Sequence, residues 1–178
     1  MNPLVYKARI YAMAAHAAVK QRRNYTGLPY ITHPEEVAYL LASVGCNEIA
    51  QAAAYLHDVI EDTGITYEDI LEEFGYEVAE LVRTNSNIAK PEDGDRPVRA
   101  AINRAHKATG SADSQSISVG DIISNIRTLV GLNARFAKVY VPEKWEALRL
   151  FTLAHPELRE MAVGELIDAA AKLNIILD

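Results

Sequence analysis

Residues 55–64, with the sequence YLHDVIEDTG, place one histidine and three carboxylates within six positions of a helical pattern. The four polar side chains are those of His57, Asp58, Glu61 and Asp62. At helical spacing they project into one sector, beside an apolar face fit for packing. Acids in a last turn face the negative end of the helix dipole and repel one another, and a bound cation removes both penalties. The pattern indicates a metal-ion site, with solvated acids at a helix end as the alternative.

A histidine-aspartate pair supplies only two ligands, so partners must come from elsewhere in the chain. His33 stands at a helix entry in PYITHPEEVA, and Asp121 is the only acid of the apolar helix SVGDIISNIRTL. A lone buried carboxylate is costly unless it is paired or coordinated, although a salt bridge to an arginine would also satisfy it. Together His33, His57, Asp58 and Asp121 offer two nitrogen and two oxygen ligands. This set suits Mn²⁺, Fe²⁺ or Zn²⁺ better than Ca²⁺ and leaves room for water and a phosphate oxygen.

The elements that must position these side chains are helices, because apolar residues recur at three- and four-residue spacing nearly everywhere. We predict an all-α fold of about eight to ten helices in one compact domain, residues 1–178. The predicted apolar side of the first helix consists of Leu4, Ile10, Met13, Ala14 and Ala17. Thr32 is predicted to cap the second helix, which stops at Gly45.

The histidine-aspartate pair is predicted to lie near the end of a third helix, residues 48–62, capped by Asn47. Residues 66–69, TYED, have the form of a capping box for the next helix. Segment 85–97 gathers Asn, Pro, Gly and Asp with almost no apolar content, which predicts a loop. Whether this loop covers a bound substrate stays open at this point.

The composition limits the partners of such a site. The formal net charge of −6 argues against a surface for long nucleic acids, so a small anionic substrate needs a local basic patch. No stretch approaches the about 20 apolar residues of a membrane span, and the N-terminal segment lacks the regions of a signal peptide. The single cysteine, Cys46, is compatible with a reducing compartment. We therefore expect a cytoplasmic protein that binds a small molecule and needs no membrane or obligatory protein partner.

Three segments carry a resemblance to a known family. PYITHPEEVA, AAAYLHDVIEDTGITYEDILEEFGYEVAELV and VGDIISNIRTL resemble the HD-domain hydrolases of the RelA/SpoT type, in particular the stand-alone small alarmone hydrolases. The resemblance implies the all-α HD fold and one Mn²⁺ ion, with Fe²⁺, Co²⁺ or Zn²⁺ as alternatives. It also implies removal of pyrophosphate from the 3′ position of guanosine penta- or tetraphosphate, (p)ppGpp.

The same resemblance assigns roles to individual positions. The metal ligands of the family match His33, His57, Asp58 and Asp121. The acids that activate and orient the attacking water match Glu61 and Asp62. The substrate-binding positions match Arg22, Arg23, Asn24, Asn125 and Thr128, of which Arg23 is the better match for an arginine on the phosphate or base side. Without the resemblance, two loop arginines are ordinary surface charge.

The sequence also departs from the family pattern around the nucleotide. Ser118 and Asn24 stand where relatives often have lysine, and a tyrosine on the helix after the N-x-R-T segment has no clear counterpart, with Tyr140 nearby. These departures keep open another phosphorylated nucleotide as substrate: an adenosine alarmone such as ppApp, the phosphate of NADPH, or a deoxynucleotide. An inactive nucleotide sensor is a third hypothesis, but both the HD pair and the acids are intact.

Overall fold

The computed structural model describes residues 2–178, in which ten α-helices and one 3₁₀ turn account for the regular structure. The helices are α1 (Pro3–Ala18), α2 (Thr32–Ser43), α3 (Glu48–Leu56), α4 (Val59–Asp62), α5 (Tyr67–Phe74), α6 (Tyr76–Asn85), α7 (Arg96–Ala108), α8 (Ala112–Leu132), α9 (Ala134–Leu150) and α10 (Pro156–Leu173). The 3₁₀ turn is Pro91–Asp93. The predicted all-α fold of eight to ten helices is confirmed.

Helix α8 runs through the middle of the core and packs against α2, α9 and α10. Its isoleucines Ile117, Ile122, Ile123 and Ile126 are buried. Gly120 lies where α8 meets α2, and a Cβ there would stand 3.0 Å from Val37 Cγ1. This close approach brings the helix of Asp121 against the helix of His33.

The prediction for the buried side of α1 is wrong. The buried residues are Val5, Ala8, Ala12 and His16, whereas Ile10 and Met13 are 37% and 39% exposed. Helix α1 packs on α3, whose alanines are fully buried. Small side chains let the two helices approach closely, so alanines and not the larger apolar residues lie in the contact.

The helix ends agree with most of the predicted caps. Asn47 Oδ1 accepts a hydrogen bond of 2.9 Å from Ala50 N, and Thr66 forms the predicted capping box with Asp69. Gly45 follows the end of α2 with a φ of 79°, a conformation that favours glycine. Thr32 is not a cap: it is the first residue of α2, and its hydroxyl donates to Pro29 O.

The predicted third helix is interrupted at the histidine-aspartate pair. Helix α3 ends at Leu56 and α4 begins at Val59, so His57 and Asp58 lie in a turn between them. His57 Nδ1 donates to Ala54 O at 2.8 Å, a side-chain bond that takes up a carbonyl in the last turn of α3. The pair therefore sits where two short helices meet.

The predicted loop 85–97 is shorter than expected. Asn85 is the last residue of α6, and α7 already begins at Arg96, so the irregular segment spans residues 86–95 around the 3₁₀ turn.

Among the described residues, none of the helices combines the length and apolar character needed to cross a membrane.

Candidate metal centre

The four predicted ligand residues converge at one point between α2, the α3–α4 turn and α8. Ligand atoms of His33, His57 and Asp58 all lie within 4.8 Å of one another. Asp58 Oδ2 is 3.5 Å from His33 Nε2 and 3.1 Å from His57 Nε2. Asp121 Oδ1 is 3.1 Å from His33 Nε2 and 4.0 Å from His57 Nε2. Two imidazole nitrogens and two carboxylates thus face a common centre.

Hydrogen bonds on the far side of each ring fix the tautomers. His57 Nδ1 lies 2.8 Å from Ala54 O, and a carbonyl only accepts, so Nδ1 carries the proton. His33 Nδ1 lies 2.9 Å from Ser124 Oγ, which donates its own proton to Glu36 Oε2 at 2.7 Å. His33 Nδ1 is therefore also a donor. With the Nδ1 proton fixed in this way, the neutral form of each ring directs the lone pair of its Nε2 atom at the centre, as metal-binding histidines require.

The electrostatics of the centre favour a positive charge. Burial raises the pKa of Asp58 and Asp121, but the neighbouring histidines outweigh burial and hold both pKa values well below the usual range. Burial lowers the pKa of His57, yet the charge of Asp58 prevails and raises it to about 9. His57 Nε2 is buried without a hydrogen-bond partner. A proton on this nitrogen and a metal cation are alternative ways to balance the carboxylates.

Each of the two carboxylates predicted to be ligands also accepts a hydrogen bond from a residue outside the centre. The Tyr30 hydroxyl donates to Asp58 Oδ2 at 2.6 Å, and Asn125 Nδ2 donates to Asp121 Oδ1 at 2.5 Å. Contacts of this kind orient metal ligands in advance. The donor set and its supports fit a divalent cation.

The two acids after the HD pair are bound to different segments. Glu61 accepts hydrogen bonds from Asn87 N at 2.6 Å and Asn87 Nδ2 at 2.7 Å. Asp62 accepts from Gln21 Nε2 at 2.9 Å, in the loop after α1. Glu61 is open to solvent on one side, but the surrounding protein removes enough water to raise its pKa. The two acids, consecutive on α4, therefore contact different segments and do not form one cluster.

A cation-lined cavity opens on one side of the centre. Its cationic side chains are Arg96, Arg99, Arg104 and Lys107 from α7 and Lys144 from α9, and Asn87, Ser118 and Asp121 also line it. The sequence patterns above do not predict it, although Arg96, Arg99, Asn103 and Lys107 recur at helical spacing on one face of α7. Burial lowers the pKa of Lys144, which Asp121 partly offsets. This cavity supplies the basic patch that an acidic protein needs for an anionic substrate.

An aromatic cavity opens on the other side of the centre. It is lined by Arg23, Asn24, Tyr25, Tyr30, His33, Asn125, Thr128, Leu129, Phe136 and Tyr140. Four of the five predicted substrate-binding residues are among them, and the exposed Arg22 is not. Arg23 is buried and donates through Nη2 to Ser124 O at 2.8 Å and Thr128 Oγ1 at 2.5 Å. Arg23 thus holds its loop against α8 by hydrogen bonds.

Tyr140 lines the aromatic cavity, although the sequence did not clearly match it to the tyrosine that relatives carry after the N-x-R-T segment. It lies on α9, and burial raises the pKa of its hydroxyl well above 10. Lys144 Nζ stands 4.9 Å from the centre of its ring, and the Arg96 guanidinium stands 4.7 Å from the ring of Phe136. Aromatic rings of one cavity therefore contact cations of the other. Because Asp121 lines the first cavity and His33 the second, the ligand cluster lies at their boundary.

Comparison of the sequence with known proteins finds relatives of this chain. The sequence model described as HD domain matches residues 8–129. A probable guanosine-3′,5′-bis(diphosphate) 3′-pyrophosphohydrolase of Synechocystis is 36% identical over 133 residues, which cover 73% of this chain and 17% of that protein. A guanosine-3′,5′-bis(diphosphate) 3′-pyrophosphohydrolase of Aquifex aeolicus is 46% identical over 82 residues, or 46% of this chain and 12% of that protein. The chain thus spans less than a fifth of either relative.

A solved structure shares the fold over the whole chain. It is the metazoan orthologue of SpoT described as hydrolysing ppGpp, with a TM-score of 0.82 and 22% sequence identity. The alignment covers 99% of this chain and 98% of that one. At this identity the likeness concerns the arrangement of the helices.

Proposed function

Because the chain belongs to the HD-domain family, we propose that it is a metal-dependent hydrolase that removes pyrophosphate from the 3′ position of guanosine tetra- and pentaphosphate. One observation carries the proposal: a cluster of metal-ligand atoms lies between a cation-lined cavity and an aromatic cavity. The three features suit an activated water, a chain of phosphates and a base, the components of the 3′-pyrophosphohydrolase activity for which the Synechocystis and Aquifex relatives are named.

His33, His57, Asp58 and Asp121 are the residues that would hold the ion, and Mn²⁺ is the proposed metal, with Fe²⁺, Co²⁺ or Zn²⁺ as alternatives. A divalent ion bound there lowers the pKa of water and polarises a phosphoryl oxygen. Nitrogen and oxygen donors in equal number are consistent with each of these metals. The lone pairs of both Nε2 atoms support the assignment of the histidines.

The two cavities divide the substrate between them. Arg104, Lys107 and Lys144 bind the 3′-diphosphate by charge-assisted hydrogen bonds. Tyr140 and Phe136 pack against the base, and Asn125 and Thr128 line the same cavity beside the ribose. The phosphorus attached to the 3′ oxygen then lies next to the ligand cluster.

Glu61 is the proposed general base. Its raised pKa brings it closer to that of the water it deprotonates, which improves proton transfer, and Asn87 holds its carboxylate in place. The attacking water forms a bond to the 3′-linked phosphorus, the bond from phosphorus to the 3′ oxygen breaks, and that oxygen takes up a proton. Asp62, held by Gln21, supports the orientation of the water from the next position along α4.

A nucleotide panel tests the proposal. The protein with Mn²⁺ is incubated with ppGpp, pppGpp, ppApp, NADPH and deoxynucleoside triphosphates, and the products are separated by ion-exchange chromatography. We expect GDP or GTP together with pyrophosphate from the two guanosine substrates. The proposal would be contradicted if ppGpp stayed intact while orthophosphate was released from NADPH or a deoxynucleotide was hydrolysed. Ser118 and Asn24, neutral residues of the two cavities, are the reason for including the other nucleotides.

We further propose that residues 1–178 act as one domain in the cytoplasm on a small nucleotide. The net charge of −6 with a local cationic cavity supports a small anionic partner over long nucleic acid.

A further inference from the structure

The two histidines of the candidate metal centre donate to different kinds of acceptor. His57 Nδ1 donates to the backbone carbonyl of Ala54 at 2.8 Å. His33 Nδ1 donates to Ser124 Oγ at 2.9 Å, and this hydroxyl donates to Glu36 Oε2 at 2.7 Å. His33 and Glu36 lie three positions apart on α2, so both project from one face of the helix toward α8. A carboxylate therefore stands one hydroxyl group behind His33, whereas a neutral amide stands behind His57.

The Ser124 hydroxyl uses its full hydrogen-bonding capacity. A serine hydroxyl has one proton to donate and two lone pairs that accept. A carboxylate only accepts and an arginine only donates, so the proton goes to Glu36 and one lone pair faces Arg23 Nη2, 3.2 Å away. The other lone pair faces His33 Nδ1. Because Ser124 is completely buried and has these three partners, the direction of each hydrogen bond is determined.

The Glu36 carboxylate is itself held in place. Arg23 Nη2 lies 3.8 Å from Oε2, and Arg127 Nη1 lies 3.7 Å from Oε1. Through Nε, Arg127 is also paired with Glu165 of α10 at 2.6 Å. The carboxylate behind Ser124 is thus anchored between the Arg23 loop and a side chain bound to α10.

Negative charge behind an imidazole makes its opposite nitrogen a stronger metal ligand. A hydrogen bond from Nδ1 toward a carboxylate fixes the tautomer and the ring orientation and raises the basicity of Nε2. At His33 the serine hydroxyl transmits this effect, because hydrogen bonds in a chain polarise one another. Asp58 and Asp121 already bring two carboxylates to the centre. The intervening hydroxyl keeps the third negative charge farther from them.

We propose that Glu36, acting through Ser124, is a positioning residue that holds His33 in its metal-binding tautomer and strengthens its bond to the ion. The inference rests on the proposed function, in which His33 is a metal ligand. Glu36 then sets the affinity for the metal without touching the ion or the substrate. The contribution of His33 depends on this remote charge, whereas that of His57 depends on a backbone carbonyl.

A double-mutant cycle measured by Mn²⁺ binding tests this inference. Isothermal titration calorimetry of the metal-free protein gives the dissociation constant. We expect Glu36→Gln and Ser124→Ala each to raise it about tenfold, the lower end of the cost of losing an outer hydrogen bond of a metal ligand. Because Glu36 acts through Ser124, the double variant should bind Mn²⁺ no more weakly than Ser124→Ala alone. Glu35→Gln is the matched control, since Glu35 is the preceding residue of α2 and is paired with Arg9 at 2.7 Å.

The cycle separates a chain of hydrogen bonds from a general effect of charge. The inference would be overturned if Glu36→Gln left the Mn²⁺ affinity unchanged, or weakened it as much in the Ser124→Ala background as in the unmodified protein. An equal loss in Glu35→Gln would also overturn it. The proposed function would survive each of these results. If the unmodified protein bound no Mn²⁺, Fe²⁺, Co²⁺ or Zn²⁺, the proposed function would fall, and the inference with it.

Nuclear magnetic resonance of the unmodified protein decides the question if a variant fails to fold. Zn²⁺ serves as the diamagnetic probe, and the ring nitrogens of ¹⁵N-labelled histidines are observed. We expect His33 and His57 to bind Zn²⁺ through Nε2 and to carry a proton on Nδ1. The Nδ1 proton of His33 should resonate farther downfield, because its acceptor is polarised by a carboxylate. Coordination of Zn²⁺ through His33 Nδ1, or equal shifts for the two protons, would contradict the inference.

Discussion

Tyr30 donates a hydrogen bond of 2.6 Å to Asp58 Oδ2, the carboxylate oxygen that also faces Nε2 of His33 and His57. The tyrosine belongs to the loop between α1 and α2, and its ring packs 4.6 Å from the ring of the buried His16. A loop that borders the aromatic cavity therefore reaches the candidate metal centre and holds one of its predicted ligands. The pKa of the Tyr30 hydroxyl is raised by burial and by the charge of Asp58, so it remains a donor.

Removal of this hydroxyl should weaken metal binding without unfolding the protein. For Tyr30→Phe we expect about tenfold lower affinity for Mn²⁺, because loss of an outer hydrogen bond to a ligand typically costs 10- to 100-fold. Isothermal titration calorimetry of the metal-free protein with Mn²⁺ measures this affinity. Tyr39→Phe is the control, since that tyrosine is 74% exposed on α2. Equal affinities for the two variants would show that Tyr30 does not orient the ligand.

Replacement of a predicted metal ligand and replacement of the proposed base should have different effects on metal binding and hydrolysis. Asp58→Ala is expected to abolish both stoichiometric metal binding and hydrolysis. Glu61→Gln is expected to keep the metal and lose about 100-fold or more of kcat, the usual contribution of general base catalysis. Metal content by atomic emission and turnover are measured on the same preparations. Full activity of Glu61→Gln would remove Glu61 from the proposed role.

Pyrophosphate inhibition reports on the cation-lined cavity. Arg104→Gln should raise the inhibition constant of pyrophosphate about tenfold, because a charge-assisted contact in the cavity is lost. The effect should diminish at high salt, as expected for a partly exposed charge. Arg135→Gln changes an exposed arginine of α9 outside this lining and should leave the constant unchanged. Similar constants for both variants would place pyrophosphate elsewhere.

The pH profile should follow the environment of Glu61. Burial raises the pKa of this carboxyl, and the hydrogen bonds from Asn87 oppose that rise. A general base must be ionised, so kcat falls as the pH drops through its pKa. Asn87→Ala removes the donation from Nδ2, raises the pKa further and should move the acidic limb of the profile to higher pH. A limb that stays in place or moves to lower pH would exclude Glu61 as the group that sets it.

The sequence predicted local features better than packing. The caps at Asn47 and Thr66 and the stop at Gly45 follow from hydrogen bonding or backbone conformation within a few residues, and all three are confirmed. The buried side of α1 was predicted wrongly because Ala8 and Ala12 are buried for their small size against α3, a property of the neighbour and not of α1 itself.

The same distinction applies to the candidate site. His33, His57, Asp58 and Asp121 are recognisable from their types and spacing, and the structure brings them together. Their roles remain a prediction. The interruption between α3 and α4 coincides with a side-chain hydrogen bond from His57 to Ala54 O, which no periodicity reveals.

The cation-lined cavity needs α7 and α9 to face each other across Asp121, a relation between segments about 40 residues apart that a single sequence does not display.

The most direct measurement of the central claim is hydrolysis of ppGpp in water enriched in ¹⁸O, with Mn²⁺, followed by mass spectrometry of both products. Attack of water on the 3′-linked phosphorus predicts one ¹⁸O atom in pyrophosphate and none in GDP, and no product from the Asp58→Ala variant. Label in the nucleotide, release of orthophosphate, or undiminished hydrolysis by Asp58→Ala would contradict a metal-dependent 3′-pyrophosphohydrolase at this site.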